Sequence, residues 1–137
     1  MSGSDPTEFV HTAMPLCATL GITARKLAAD EVVLVLEWAP ELCTSGGMLH
    51  GGVVMALADS AGGSSGYLNL PEGATGTSTI ESKTNFLGAV REGAVVTATA
   101  RPLHVGSSTV VVETEVRDGE RLVAKVTQTQ TVLRPRS

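Results

Sequence analysis

The chain has 137 residues and a formal net charge of −4, the length of one ordinary domain and the wrong sign for a surface that must neutralise phosphates. Nucleic acid is therefore not an expected partner. Cys17 and Cys43 stand far apart, with neither CxxC spacing nor a histidine cluster beside them, so they read as reduced thiols rather than zinc ligands.

Met1 to Pro15 carries acids at Asp5 and Glu8 and no basic stretch before an apolar run, which argues against a signal peptide. No apolar run approaches the roughly 20 residues that span a bilayer, so a soluble cytoplasmic protein with no membrane partner is expected. Asp5-Pro6-Thr7-Glu8 supplies an N-cap, a proline at the first helical position and an acid at N3, and predicts a helix running to about Ala18 and ended by Gly21. Its apolar residues Phe9, Val10, Ala13 and Cys17 fall near helical spacing. Ile22 to Trp38 reads as two strands about a polar break at Ala29-Asp30-Glu31, with Val32 to Leu36 apolar enough to be buried. A loop of small residues from Cys43 to Leu49 leads to His50-Gly51-Gly52 and then to Val53 through Ala61, which has no polar side chain before Asp59. That stretch predicts a largely buried central helix.

After a Gly/Ser stretch, Gly62 to Gly66, and a loop, Pro71 to Gly76, strand-like runs cover Ser78 to Leu87, Ala94 to His104, Ser107 to Val116 and Leu122 to Leu133. Asp118-Gly119 predicts a type I′ hairpin between the last two, and the second half reads as an antiparallel meander ending in a disordered Arg134-Pro135-Arg136 tail. With 3% aromatic residues the core must be built from Val, Leu, Ile and Ala. The expected architecture is one α+β domain over residues 1–137, an antiparallel sheet wrapped around a long central helix.

His50-Gly51-Gly52, with the carboxylate of Asp59 following on an apolar helix, and the later run Ser78-Thr79-Ile80-Glu81-Ser82-Lys83-Thr84-Asn85-Phe86-Leu87 together resemble the hotdog-fold thioesterases of the phenylacetyl-CoA and 4-hydroxybenzoyl-CoA type. The similarity runs from about residue 15 to the C-terminus. Glycines opening a helix leave backbone N–H groups unshielded at its positive end, where a thioester oxygen can be polarised. The resemblance implies that the N–H of Gly52 or Gly51 forms this oxyanion hole, with His50 bracing the turn or helping polarise the carbonyl. It further implies that Asp59 acts as general base, or as nucleophile, on an acyl-CoA whose acyl group is aromatic or of medium chain length. No cofactor is implied, CoA being part of the substrate. Seven residues separate Gly52 from Asp59, roughly 10 Å along a helix, so one carbonyl cannot touch both. If both act on one substrate the two groups must come from different subunits, and the resemblance implies a homo-oligomer, a dimer or a dimer of dimers.

Relatives often carry Asn or Gln six residues before the histidine, where this chain has Thr44; Thr44 or Ser45 can offer a hydroxyl instead. Thr79 aligns with a hydroxyl position that can hold the attacking water. His104-Val105-Gly106-Ser107-Ser108 resembles the turn that approaches the pantetheine and phosphate groups, with Ser107 in place of a common arginine. Arg91 and Arg101 are further candidates for phosphate contact, and Asn85 and Phe86 for lining the acyl or pantetheine channel. Two other functions share the fold: a hydroxyacyl dehydratase or hydratase, which the segment after His50 fits poorly for want of Pro-Gly, and a non-catalytic acyl-CoA-binding module. Gly62-Gly63-Ser64-Ser65-Gly66 matches G-x-S-x-G, but it is expected to follow a helix rather than a strand, against a serine-hydrolase elbow.

Overall fold

The computed structural model describes Asp5 to Arg136. Ser137 and the residues before Asp5, part of the segment read above for a leader, lie outside the described residues. Asp5 accepts the Thr7 N–H at 2.9 Å and caps α1 (Pro6–Ala13), as its motif predicts. The helix does not run on to Ala18. Pro15 drives the preceding Met14 out of the helical region, to φ −131° and ψ 87°, and a second short helix α2 (Pro15–Leu20) starts at the proline and ends on Gly21 at φ 76°.

β1 (Thr23–Leu27) and β2 (Val32–Glu37) form an antiparallel pair. Two single-turn 3-10 segments, Pro40–Leu42 and Ser45–Gly47, then lead to α3 (Gly51–Leu68). This central helix runs straight through the Gly/Ser stretch expected to end it. Ser60 and Ser64 return their hydroxyls to the carbonyls four residues back, at 2.7 and 2.8 Å, and Gly62 and Gly66 are buried against the sheet. The G-x-S-x-G match therefore lies inside a helix, not after one.

β3 (Gly76–Phe86), β4 (Val95–Val105), β5 (Thr109–Asp118) and β6 (Arg121–Leu133) complete a six-stranded antiparallel sheet ordered β1-β2-β4-β5-β6-β3. Only β4, β5 and β6 form a meander; β3 adds beyond β6, and its other edge is unpaired among the described residues. The β5–β6 turn differs in type as well. Asp118 pairs with Arg121, so the loop is Gly119-Glu120, and only Gly119 has positive φ, 62°, the mark of a II′ rather than a I′ turn. The segment after Leu133 is exposed and irregular, yet Arg134 donates to the Ser107 carbonyl at 2.9 Å.

The sheet curls around α3, and Val54, Leu57, Ala58 and Ala61 meet Ala98, Ala100, Val110, Val112, Val116, Ala124 and Val126 in the buried core. Alanines at Ala98, Ala100 and Ala124 let the strands approach the helix closely. This is the hotdog arrangement, α+β, with one helix inside one sheet. Among the described residues no helix is long and apolar enough to cross a membrane.

Candidate active site

Asp59 lies midway along α3, on the one flank that the curled sheet leaves open. Its neighbours Leu57, Ala58, Ser60, Ala61 and Gly62 are buried, while Asp59 is exposed beside β3. Its Oδ1 accepts two hydrogen bonds, from the Thr79 hydroxyl at 2.9 Å and from Gln128 Nε2 at 3.0 Å. Gln130 Nε2 donates in turn to Thr79 Oγ1, and the Thr77 hydroxyl lies 3.1 Å from Gln130 Oε1. Asp59 and Thr79 open into a cleft of about 570 Å³ whose apolar wall is Phe9, Met14, Leu27, Tyr67 and Leu68. A carboxylate at the mouth of an apolar cleft is suited to accepting a proton from water beside a bound acyl group. Behind it, burial and the Asp59 charge push the Cys17 thiol above its ordinary pKa, against a hydrogen bond to Ser60 that pulls the other way.

The other end of α3 holds a second group of the expected residues. His50 is the N-cap: its Nδ1 accepts the Gly52 N–H at 2.8 Å, while its carbonyl accepts from Val53 and Val54. Nδ1 is thereby an acceptor, and a neutral His50 carries its proton on Nε2. Of the two amides named from the sequence, Gly52 is thus occupied and Gly51, at the first helical position, has no acceptor among the described residues. Gly51 borders a hollow of about 180 Å³ with Thr44, Met48, Leu49, Val54 and Phe86. A Cβ on Gly51 would sit 3.2 Å from Phe86 Cζ, so the ring packs directly on the helix opening. Thr44, Gly51 and Phe86, far apart in sequence, are brought together here.

A family model described as the thioesterase superfamily matches residues 46–125. The chain belongs to the thioesterase superfamily. Family membership makes it a thioester hydrolase in class. A Vibrio cholerae relative named at the level of an esterase is 40% identical over 91 residues, 66% of this chain and 59% of that protein, so the chain spans under two thirds of that relative. A 1,4-dihydroxy-2-naphthoyl-CoA hydrolase of Listeria monocytogenes is 34% identical over 107 residues, 77% of this chain and 84% of that protein. The solved structure of a thioesterase from Haemophilus influenzae matches at a TM-score of 0.80 and 28% identity, over 91% of this chain and 90% of that one.

In this thioesterase the acid and the helix opening do not meet within one chain. Eight residues of helix put Asp59 about 12 Å along the axis from Gly51. His104, Gly106 and Ser107 lie at the β4–β5 turn and line neither hollow. The His104 ring lies over Gly106, whose N–H goes to the Thr109 carbonyl at 2.9 Å. Two strands separate β4 from β3, about 14 Å across the sheet, while the far side of the turn, where the Ser108 carbonyl accepts from Val132 N–H on β6, stands about 10 Å from β3. Asn85 points to the outer face and accepts from Lys83 Nζ at 2.9 Å. Arg101 is paired with Glu31, and Arg91 is exposed in the loop between β3 and β4.

Sequence reasoning missed Thr77, Gln128 and Gln130. The signal was present in Ala124, Val126, Gln128 and Gln130, where the inward phase of β6 carries two glutamines at positions that periodicity reserves for apolar residues.

Proposed function

We propose that the protein hydrolyses acyl-CoA thioesters to the free acid and CoA, with Asp59 as general base and the Gly51 N–H of the partner subunit as oxyanion donor. The observation that carries this is the placement of Asp59, whose Oδ1 is held by Thr79 and Gln128 at the mouth of the cleft while Oδ2 is left for a water. Oδ2 takes a proton from that water as its oxygen attacks the thioester carbonyl. The oxyanion gathers charge at the Gly51 N–H and the positive end of α3, with Thr44 offering a hydroxyl where relatives have an amide. Collapse breaks the C–S bond, and the CoA thiolate leaves and is protonated.

The 12 Å gap between the two halves is bridged by a second copy of the chain. β3 is an edge strand with exposed apolar residues along it and just beyond its end, Ile80 at 62%, Phe86 at 53% and Leu87 at 59% exposure. An antiparallel pairing of two β3 strands centred between Thr79 and Phe86 sets Asp59 of one copy toward the Gly51 end of the other. Dimers or dimers of dimers are the working unit, and CoA lies across subunits with Asn85, Phe86, His104, Gly106 and Ser107 along its pantetheine and phosphate end. The apolar wall suits an aromatic or medium-chain acyl group, and the Listeria relative's substrate favours an aromatic one. The reaction needs no cofactor or metal and is placed in the cytoplasm.

The test is release of free thiol from a panel of aromatic and aliphatic acyl-CoAs, wild type beside Asp59→Ala. Hydrolysis that falls by about two orders of magnitude or more in the variant, with its oligomer intact, supports the assignment and names the acyl class. Binding of acyl-CoA without release of CoA by either protein would replace it with a carrier or sensor role.

A further inference from the structure

Gln128 and Gln130 are 0% and 1% exposed, on a strand whose other inward positions are apolar, and residues 128 and 130 lie beyond the stretch that the family model matches. The helix is built to receive them. A Cβ on Gly62 would lie 2.0 Å from Gln128 Oε1, and one on Gly66 would lie 2.7 Å from Gln130 Cγ, so each glutamine occupies space that only glycine leaves open. Gln128 Oε1 is buried without a partner among the described residues, an uncompensated cost retained beside an amide that reaches the carboxylate.

We propose that Gln128 and Gln130 are positioning residues that hold Asp59 with Oδ2 turned to the cleft and set the direction of the Thr79 hydroxyl; the inference rests on Asp59 as the base. An ionised carboxylate only accepts, so Thr79 must donate its single proton to Oδ1. Thr79 Oγ1 then receives the Gln130 amide N–H, which turns Gln130 Oε1 toward the Thr77 hydroxyl. Gln128 supplies the second donor to Oδ1 from the opposite side of the network. Thr79 thus has no proton left for the attacking water and serves that water only as an acceptor.

The variants that test this keep side-chain shape. Gln128→Glu sets a second carboxyl against Asp59 and Gln128→Met removes the donor; Gln130→Glu accepts from both threonines and turns the Thr79 hydroxyl away from Asp59, and Gln130→Met removes the relay. Losing a donor to Oδ1 frees the carboxylate to turn, so the loss is read in kcat rather than in KM. Each variant is expected to lose about a hundredfold in kcat. Gln128 does not line the cleft, so KM for its variants stays close to wild type. The other titratable groups facing Asp59 within its own chain are Tyr67 in the cleft and Cys17 behind it, both unchanged in every variant. If the glutamate variants fail to fold, the methionine variants decide. Folded Gln128→Met and Gln130→Met proteins with wild-type kcat would overturn the proposal. An Asp59→Asn protein that keeps wild-type turnover would instead sink the assignment of Asp59 itself.

Discussion

At the scale of single residues, the proposed chemistry divides between a carboxylate and an amide. His50 was expected either to brace the helix opening or to polarise the substrate, and its Nδ1 is bound to the Gly52 N–H, which is the bracing geometry. The same bond takes Gly52 out of competition and makes Gly51 the available donor. Proline at Gly51 is a direct probe, because it deletes that N–H at the first helical position, where proline is tolerated. His50 already has φ −62° and ψ 134°, the extended conformation that a following proline requires, and the contact it creates is with the tip of Phe86. Gly51→Pro is expected to lower kcat by about 100- to 1000-fold while circular dichroism and melting temperature remain near wild type. His50 and Gly51 were legible because adjacent residues act through adjacent backbone; which amide is free was not, because that depends on a side-chain rotamer.

At the scale of elements, α3 and β6 explain each other. Gly62-Gly63-Ser64-Ser65-Gly66 looks like the end of a helix, since each glycine costs about 1 kcal/mol of helical propensity relative to alanine. The helix continues because Gly62 and Gly66, one turn apart, form the groove in which Gln128 and Gln130 lie. Neither half of that match has a meaning on its own strand or helix. Gly62→Ala improves helix propensity yet drives a methyl into Gln128, and the overpacking is expected to cost about 1–3 kcal/mol, read as a lowered thermal midpoint. The break at Met14 has the opposite character: Pro15 acts on its own neighbour and could be read locally, but the helical spacing of Cys17 concealed it.

At the scale of the whole molecule, the proposed mechanism calls for a second copy, because the distance along α3 keeps Asp59 from Gly51 and β3 offers an edge for pairing. Mixing Asp59→Ala with Gly51→Pro, each inactive alone, tests this directly. Random reassociation makes half the dimers mixed, and one of the two sites in each mixed dimer has both intact halves, so about a quarter of wild-type activity should return. No recovery, with mixed dimers demonstrated by mass, would show that one chain supplies the whole site. The amino-acid sequence by itself determined most of the elements and the helix-in-sheet class, and singled out His50, Gly51 and Asp59 as candidates, because hydrophobic period, turn chemistry and a short motif are properties of neighbours along the chain. The tertiary structure alone decided that β3 joins the sheet beyond β6, that α3 extends to Leu68, and that Gln128 reaches Asp59 while Gln130 reaches Thr79. Those facts rest on which strand pairs with which and on close packing between residues more than sixty positions apart, and such contacts are chosen by burial in three dimensions rather than by local sequence.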